Sequence, residues 1–490
     1  MSLSTADLLD IAEIEQLKHR YVRLLDTKQW DEWRALFTED AELEASEART
    51  DRAIGPFLAD LQERLATATT VHQPHEPVIE LNGPGEARAV WPMFDYVEYP
   101  YEGQRRGKRG WGHYVERYRK VDGRWRIASL KLTRIRQDPL TGPPVPPTTP
   151  ARLADDWLPA QAPLEAGRLA DLEAIRQLKA RYFRYLDLKR WADWRGLFGS
   201  RARFEVSMLP GSLDADAFVE TVARNHRATD TVHQGHAPEI AFIGPNVARG
   251  IWALEDHVER PPDYDRPSNL GHGHYEEQYR REDGEWRIEA LRLSYLRHDR
   301  WAPVDDAVRF PRVERPDWLE GTALPGVDEL GDVHAIRQLK ARAVTLLDEG
   351  RWAEWRALFA DDARLEGTLA DGGPDALAAA TARHLEGART AHHAHMPEIR
   401  VAGDGTARAV WSCTGYVEWP GGERRRGATT HAHHEEAYRL EGGEWRIAAL
   451  RIVPLRADPL TGPALPEHQT WTQLADGRWL PPGARTGAAA

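Results

Sequence analysis

The sequence predicts an α+β protein made of three tandem copies of one domain, each with its helices first and a mostly antiparallel sheet after them. Three observations predict this. Landmark residues recur at a fixed step: Ile14, Ile175 and Ile336 lie 161 apart, as do Trp91 and Trp252 or His113 and His274. Within each copy an apolar pattern of helical period gives way to apolar runs of strand type, and short turns such as Val121-Asp122-Gly123 join those runs. Proline-rich stretches then separate the copies. A period this long is a whole domain rather than a solenoid unit. The step falls to 159 at His392, Trp411, His433 and Trp445, so two residues are missing between Leu365 and His392, a loop or helix-end trim around Gly372 to Ala380. We place domain 1 at 1–143, a linker at 144–164, domain 2 at 165–303, a linker at 304–325, domain 3 at 326–463 and a tail at 464–490.

The elements follow in order. Ser4 or Thr5 caps a first helix whose residues Ile11, Ile14, Leu17, Tyr21, Leu24 and Leu25 share one face, and which closes at Asp26. A short second helix carries Trp30, Trp33 and Phe37, repeated as Trp191, Trp194, Phe198 and as Trp352, Trp355, Phe359, an aromatic stripe read as core. A third helix is expected around Phe57 to Leu65, then strands at Val71–Leu81, Ala87–Glu98, Trp111–Val121 and Trp125–Arg136. Helices on one face of such a curved sheet leave a conical pocket for a small ligand. Between the copies, Asp138-Pro139-Leu140-Thr141-Gly142-Pro143 and its near copy from Asp458 to Pro463 are extended. Each linker leads to a Trp-Leu pair (Trp157-Leu158, Trp318-Leu319, Trp479-Leu480), which should dock on a neighbouring domain because an exposed Trp is costly.

Composition excludes several function classes. With 41% hydrophobic residues and 19 Trp, each copy can bury a core. A net charge of −12 argues against nucleic acid or an anionic membrane as partner. The basic runs Arg105 to Arg109 and Arg424 to Arg426 are read as solvated hairpin tips. The single cysteine, Cys413, excludes an internal disulfide framework. No run is long and apolar enough to span a membrane, and the opening Met-Ser-Leu-Ser-Thr-Ala-Asp lacks the basic and apolar regions of a signal peptide, so the expected address is the cytoplasm.

The chemistry points to an Asp that closes the first helix of each copy and a His on the strand some 45 residues later: Asp26 with His72, Asp187 with His233, Asp348 with His392. Histidine is the side chain whose ordinary pKa lies near neutrality, so a neutral imidazole can take a proton and return it. An Asp at the negative end of a helix dipole gains from a neighbouring imidazolium, fixes the His tautomer and stabilises its charged form. The bland alternative is a buried hydrogen bond that only steadies the helix end.

The run Leu25-Asp26-Thr27-Lys28-Gln29-Trp30-Asp31, with Val71-His72, Gly112-His113-Tyr114, Tyr118 and Asp122-Gly123-Arg124-Trp125-Arg126-Ile127, resembles the SnoaL-like branch of the nuclear transport factor 2-like superfamily, nearest to scytalone dehydratase and hexachlorocyclohexane dehydrochlorinase. That resemblance covers all three copies. It implies an α+β cone, an Asp-His dyad at the six residues above, and a family trimer written into one chain with pseudo-threefold symmetry. The chain departs from those relatives. The tyrosine before the dyad Asp is replaced by Leu25, Leu186 and Leu347, and the one on the following strand by Ala45, Val206 and Gly367, so dehydration of scytalone itself is not expected. Where the dehydrochlorinase has a lysine one turn before its Asp, this chain has Tyr21, Tyr182 and Ala343.

Other candidates follow by alternation. Tyr21 and Tyr182, the set Tyr114, Tyr275 and His434, the set Glu116, Glu277 and Glu436, and Trp91, Trp252 and Trp411 are the pocket candidates. His113, His274 and His433 alternate with the Tyr114 set, and Glu98, Glu259 and Glu418 offer a second carboxylate. His75, His236 and His395 fall three residues after the dyad His, on the opposite strand face, and are read as structural. Alternation also splits the third copy's His392, His393, His395, His431, His433 and His434 between faces, so no metal is assigned, and no cofactor. The expected function is a cofactor-independent enzyme that abstracts a proton from a small, mainly apolar metabolite of polyketide or terpenoid type, with elimination, isomerisation or cyclisation as outcome. The expected state is a monomer acting as a pseudo-trimer. A non-catalytic binding or assembly protein using the same cones is the alternative.

Overall fold

The computed structural model describes residues 3–45, 53–100, 106–140, 157–158, 164–206, 211–261, 267–301, 308–310, 315–370, 372–462, 472–473 and 479–480. In the first copy, α1 (Thr5–Asp26) begins at Ser4, whose hydroxyl accepts the Asp7 N–H while the Asp7 carboxylate accepts the Ser4 N–H, a reciprocal cap. The spacing of Trp30, Trp33 and Phe37 predicts one helix. Instead α2 (Trp30–Arg34) stops early and Phe37 opens β1 (Phe37–Ala45). The reason is tertiary: the Leu36 carbonyl accepts the Ile127 N–H, which draws the chain out as a strand parallel to β6 (Arg124–Pro139). The stripe is core nonetheless, with Trp33 and Phe37 buried.

After α3 (Ile54–Leu65), the strand expected over Val71–Leu81 is split into β2 (Thr69–Pro74) and β3 (Val78–Leu81), because Pro74, which stands where the other copies have Gly235 and Ala394, has no N–H for the ladder. Then come β4 (Glu86–Tyr99) and β5 (Arg106–Val121). The sheet runs β1-β6-β5-β4-β2, with β3 also on β4; every pairing is antiparallel except β1 with β6.

The second copy repeats the order as α4 (Leu169–Asp187), α5 (Trp191–Arg195), β7 (Phe198–Val206), β8 (Ser212–Asp214), α6 (Ala215–His226), β9 (Asp230–Gly244), β10 (Val247–Glu259), β11 (Ser268–Glu282) and β12 (Glu285–Trp301). The short β13 (Val308–Arg309) precedes the third, which comprises α7 (Leu330–Asp348), α8 (Trp352–Arg356), β14 (Phe359–Glu366), α9 (Pro374–His384), β15 (Arg389–Ala402), β16 (Thr406–Trp419), β17 (Arg426–Glu441) and β18 (Glu444–Pro459). Here the dyad strand runs through, but β9 and β15 slip register where β2 breaks, and Ala237 and Met396 adopt φ of 47° and 35°. Each copy packs its own core around its Trp and Tyr residues. No described helix is long and apolar enough to cross a membrane.

The copies close into a ring. Gln16 on α1 accepts the Ile240 N–H and donates to the Pro238 carbonyl of copy two; Gln338 on α7 makes the same pair with Ile79 and Pro77 of copy one; Arg400 of copy three donates to Gln177 on α4. A second ring is ionic and buried: Arg297 with Glu98, Arg456 with Glu259, Arg136 with Glu418. Each copy thus grips the next in the same sense, the geometry of a closed cyclic trimer. Arg425, expected on a solvated tip, is instead 9% exposed and bridges Asp138 of copy one and Glu418, because the third copy's hairpin packs on the first copy's β6. Trp157 donates from its indole to the Gly250 carbonyl and Trp318 to that of Glu436, so each linker docks on the domain that follows it. The side chain of Trp479 lies outside the described residues.

Candidate active site

The helix end and the dyad strand meet in every copy. Asp26 Oδ1 lies 2.6 Å from His72 Nδ1, and its Oδ2 accepts the His72 backbone N–H at 2.8 Å. Asp187 and His233 repeat these distances, and Asp348 with His392 gives 2.6 and 2.7 Å. A residue that sequence reading missed completes the cradle: Thr70, Thr231 and Thr390, two before the His, donate their hydroxyls to Asp Oδ1. Only Nδ1–H can face the carboxylate, so the Nε2 lone pair is left for the cone. Burial raises the Asp187 and Asp348 carboxyls, yet the imidazole charge and the hydrogen bonds outweigh it and hold both below the usual range.

A second missed residue sits in the turn after α1. Lys28 and Lys189 take φ of 60°, a left-handed conformation that a side chain adopts at a cost, and each ammonium donates to the dyad threonine. In copy three the equivalent is Gly350, at φ 66°, with no ammonium. Burial lowers the Lys28 pKa to about 8.

The strand opposite the dyad His differs among the copies. His72 pairs with Asp95 and Asp95 with Gly110; His233 pairs with Asp256 and Asp256 with Gly271; His392 pairs with Gly415 and Gly415 with Thr430. The bulk has changed strands in copy three. The glycines are needed, since a Cβ on Gly110 or Gly271 would lie 2.3 or 2.1 Å from the Asp oxygen. Arg134 holds Asp95 with two hydrogen bonds, whereas Tyr295 donates to Asp256 Oδ2 and leaves the buried Oδ1 without a partner among the described residues.

In copy two these groups surround a cavity of about 420 Å³. His233, Asp256, Tyr182, Tyr275 and Tyr295 line it, with Leu186, Trp194, Phe218, Leu291 and Leu293 as apolar wall and Asn269, Arg260 and His226 as further polar groups. The His226 ring lies 6.1 Å from that of His233.

The other sequence candidates form a chain that is largely buried. Lys18 pairs with Glu116, Tyr118 donates to Glu116, and Trp91 donates to Tyr118; Lys179, Glu277, Tyr279 and Trp252 repeat this, as do Lys340, Glu436, Tyr438 and Trp411. The Lys18 ammonium lies over the rings of Tyr21 and Tyr114, and that of Lys179 over Tyr182 and Tyr275. Burial lowers both lysines to about 8. Glu277 and Trp252 are not among the residues lining the copy-two cavity. His434, in the tyrosine's place, lies 3.1 Å from Lys340 Nζ. Glu98, Glu259 and Glu418 are at the domain interfaces, bound by the arginines of the ionic ring.

The rings of His75, His236 and His395, one from each copy, meet one another where the three copies come together. The third copy's histidines are split as alternation requires, with His392 in the dyad and His393 stacked on His75.

The SnoaL-like domain model matches residues 6–131, 167–292 and 328–451. A Gibberella zeae protein named a probable cyclase is 25% identical over 136 residues, 25% of this chain and 89% of that protein. Solved structures similar to one copy include a provisionally named scytalone dehydratase from Novosphingobium aromaticivorans, 23% identical over 29% of this chain and 95% of that one with a TM-score of 0.26. A hexachlorocyclohexane dehydrochlorinase from Novosphingobium barchaimii is 20% identical over 28% and 94%, again at 0.26.

Proposed function

The chain belongs to the SnoaL-like family, in three tandem copies, and from that premise we propose that it is a cofactor-independent enzyme of lyase, isomerase or cyclase type whose Asp-His dyads abstract a proton from a small, mainly apolar metabolite. The observation that carries this reading is the His233 imidazole, held by Asp187 through Nδ1 and lining the 420 Å³ cavity of domain 2. Nε2 takes a proton from a carbon next to an activating group. Asp187 stabilises the imidazolium, which returns the proton to another carbon or passes it to a leaving oxygen. Asp256 Oδ1, without a partner among the described residues, accepts a hydrogen bond from a substrate hydroxyl, and the aromatic and leucine wall excludes water. The size and lining suit a polyketide-like or terpenoid-like skeleton. The Gibberella zeae relative, named a cyclase, agrees with this class. We place the working units at 1–143, 165–303 and 326–463, with domain 2 as the best-equipped cone.

The test is solvent hydrogen exchange. Bound candidate ligands are held in deuterated buffer with the parent protein and with a variant carrying His72→Gln, His233→Gln and His392→Gln, and label uptake is followed by mass spectrometry. Uptake that is lost in the variant while binding persists supports the reading. A parent protein that binds ligands and labels none of them overturns it.

A further inference from the structure

We propose that His75, His236 and His395, one from each domain, form a transition-metal site on the pseudo-threefold axis, taking a single divalent ion of borderline softness such as Zn²⁺, Co²⁺ or Ni²⁺. The three occupy equivalent places, each at the slip or break in the dyad strand. That irregularity turns them out of the cones and towards the centre. All three are buried, at 6%, 4% and 4% exposure. Their ring centroids stand 5.3, 4.7 and 4.8 Å apart, and one ring nitrogen from each lies within 4.8 Å of the others. The Nδ1 atoms of His75 and His395 are 3.2 Å apart. A tetrahedral ion with bonds of about 2.0–2.1 Å spaces its nitrogens about 3.4 Å apart. One pair therefore already stands near the ligating separation, and small rotations of the third ring complete the set.

Hydrogen bonds satisfy the cluster only in part: His75 and His395 share one between their Nδ1 atoms, while Nε2 of His75 and of His236 are buried with no partner among the described residues, a polar arrangement that three apolar side chains would avoid. The groups facing His75 most closely are other imidazoles, so no carboxylate holds it as a cation. Neutral imidazole is the form that ligates.

The surroundings orient the rings as second partners of a metal site do. His395 Nε2 lies 3.2 Å from Thr414 Oγ1, which is itself bound by Gln234 of domain 2, and His75 is stacked on His393 at 3.7 Å. A cavity of about 70 Å³ adjoins the cluster and reaches Glu15 and Arg337, with room for a water as the fourth ligand. None of the three histidines lines the 420 Å³ cavity of domain 2. The ion would act as a cross-link that ties the three domains at the point where they meet.

The full chain, purified without a polyhistidine tag and stripped with a chelator, is titrated with Co²⁺ while the visible absorption bands and bound metal are measured. The proposal expects one equivalent per chain, a melting temperature that rises with loading, and binding at least ~100-fold weaker in His236→Gln and His395→Gln, since loss of an orienting partner alone costs about 10–100-fold. His384→Gln, an exposed histidine on α9, should bind as the parent does. No uptake by the parent, or undiminished uptake in both axial variants, overturns the proposal. If the variants fail to fold, anomalous scattering from Co²⁺-loaded parent crystals decides: a peak between the three rings supports the site, and its absence there refutes it.

Discussion

Replacing Asp187 with Asn tests the dyad at one atom. The carboxylate accepts three hydrogen bonds: Thr231 Oγ1 at 2.8 Å and His233 Nδ1 at 2.6 Å on one oxygen, and the His233 backbone N–H at 2.8 Å on the other. An amide has one acceptor and one donor end. If its NH2 faces the backbone N–H, two fixed donors oppose each other. If its oxygen faces the backbone, NH2 meets Nδ1, and the imidazole resolves the conflict by moving its proton to Nε2. The backbone cannot change its proton and the ring can, so the second arrangement wins. The base then presents N–H to the substrate instead of a lone pair. Positioned general bases are worth about 10²–10⁴ in rate, and the same acid-to-amide change in the serine-protease triad, a worked case of tautomer reversal, costs about 10⁴. In a chain whose other two cones are silenced by His72→Gln and His392→Gln, we therefore expect solvent exchange to fall by about 10²–10⁴. Stability should change modestly, because a lost charge-assisted bond of about 1.5–3 kcal/mol is offset by relief of a buried charge. Exchange rates and ¹⁵N spectra of the His233 ring are the assay. An Asn variant that exchanges at the parent rate, or a parent ring protonated at Nε2, refutes the reasoning.

Three further outcomes follow from the same geometry. Lys179→Met leaves the fully buried Glu277 without its cation and should destabilise by about 3–5 kcal/mol in urea unfolding, while Lys179→Met with Glu277→Leu recovers most of that; a double variant no better than the single one contradicts the pairing. Burial lowers His19, His274, His334 and His433 to about 4, below the ordinary value near 6.5, so the unfolded chain gains protons first as pH falls. Stability should be full above about pH 6.5 and decline towards pH 4 by up to roughly 1.4 kcal/mol per unit for each group; a flat unfolding midpoint over that window counts against it. Finally, His233→Gln should remove far more exchange than His392→Gln, because the third cone has Gly415, Thr430 and Gly350 where the second has Asp256, Gly271 and Lys189; equal losses from the two variants refute unequal cones.

What the sequence made legible was whatever lies inside one copy at short range. Asp26 closes a helix and His72 lies on the next long strand, so period and spacing bring them to notice. Phe37 shows the limit, since its spacing continues the helix while a hydrogen bond to the far strand β6 decides its structure. Asp95 and Asp256 were invisible because their place beside the dyad depends on strand register, which spacing alone does not specify. Lys18 sits on an otherwise apolar helix face and its partner Glu116 is remote in sequence, so neither residue announces the pair. The convergence of His75, His236 and His395 required knowing how three domains close on one another. Alternation assigned them a face and could not say what that face meets.

The ring of domain contacts has a consequence for how this protein can change. In an assembly of three identical chains, every substitution is installed three times, and a cone cannot be altered without altering its two fellows. Here each cone has its own codons. The exchange of Asp and Gly for Gly and Thr at positions 415 and 430 is confined to one third of the molecule, and the second cone keeps its carboxylate. The cones are free to diverge, while the centre, where one side chain from each copy must still meet the other two, is the place where the three remain answerable to one another.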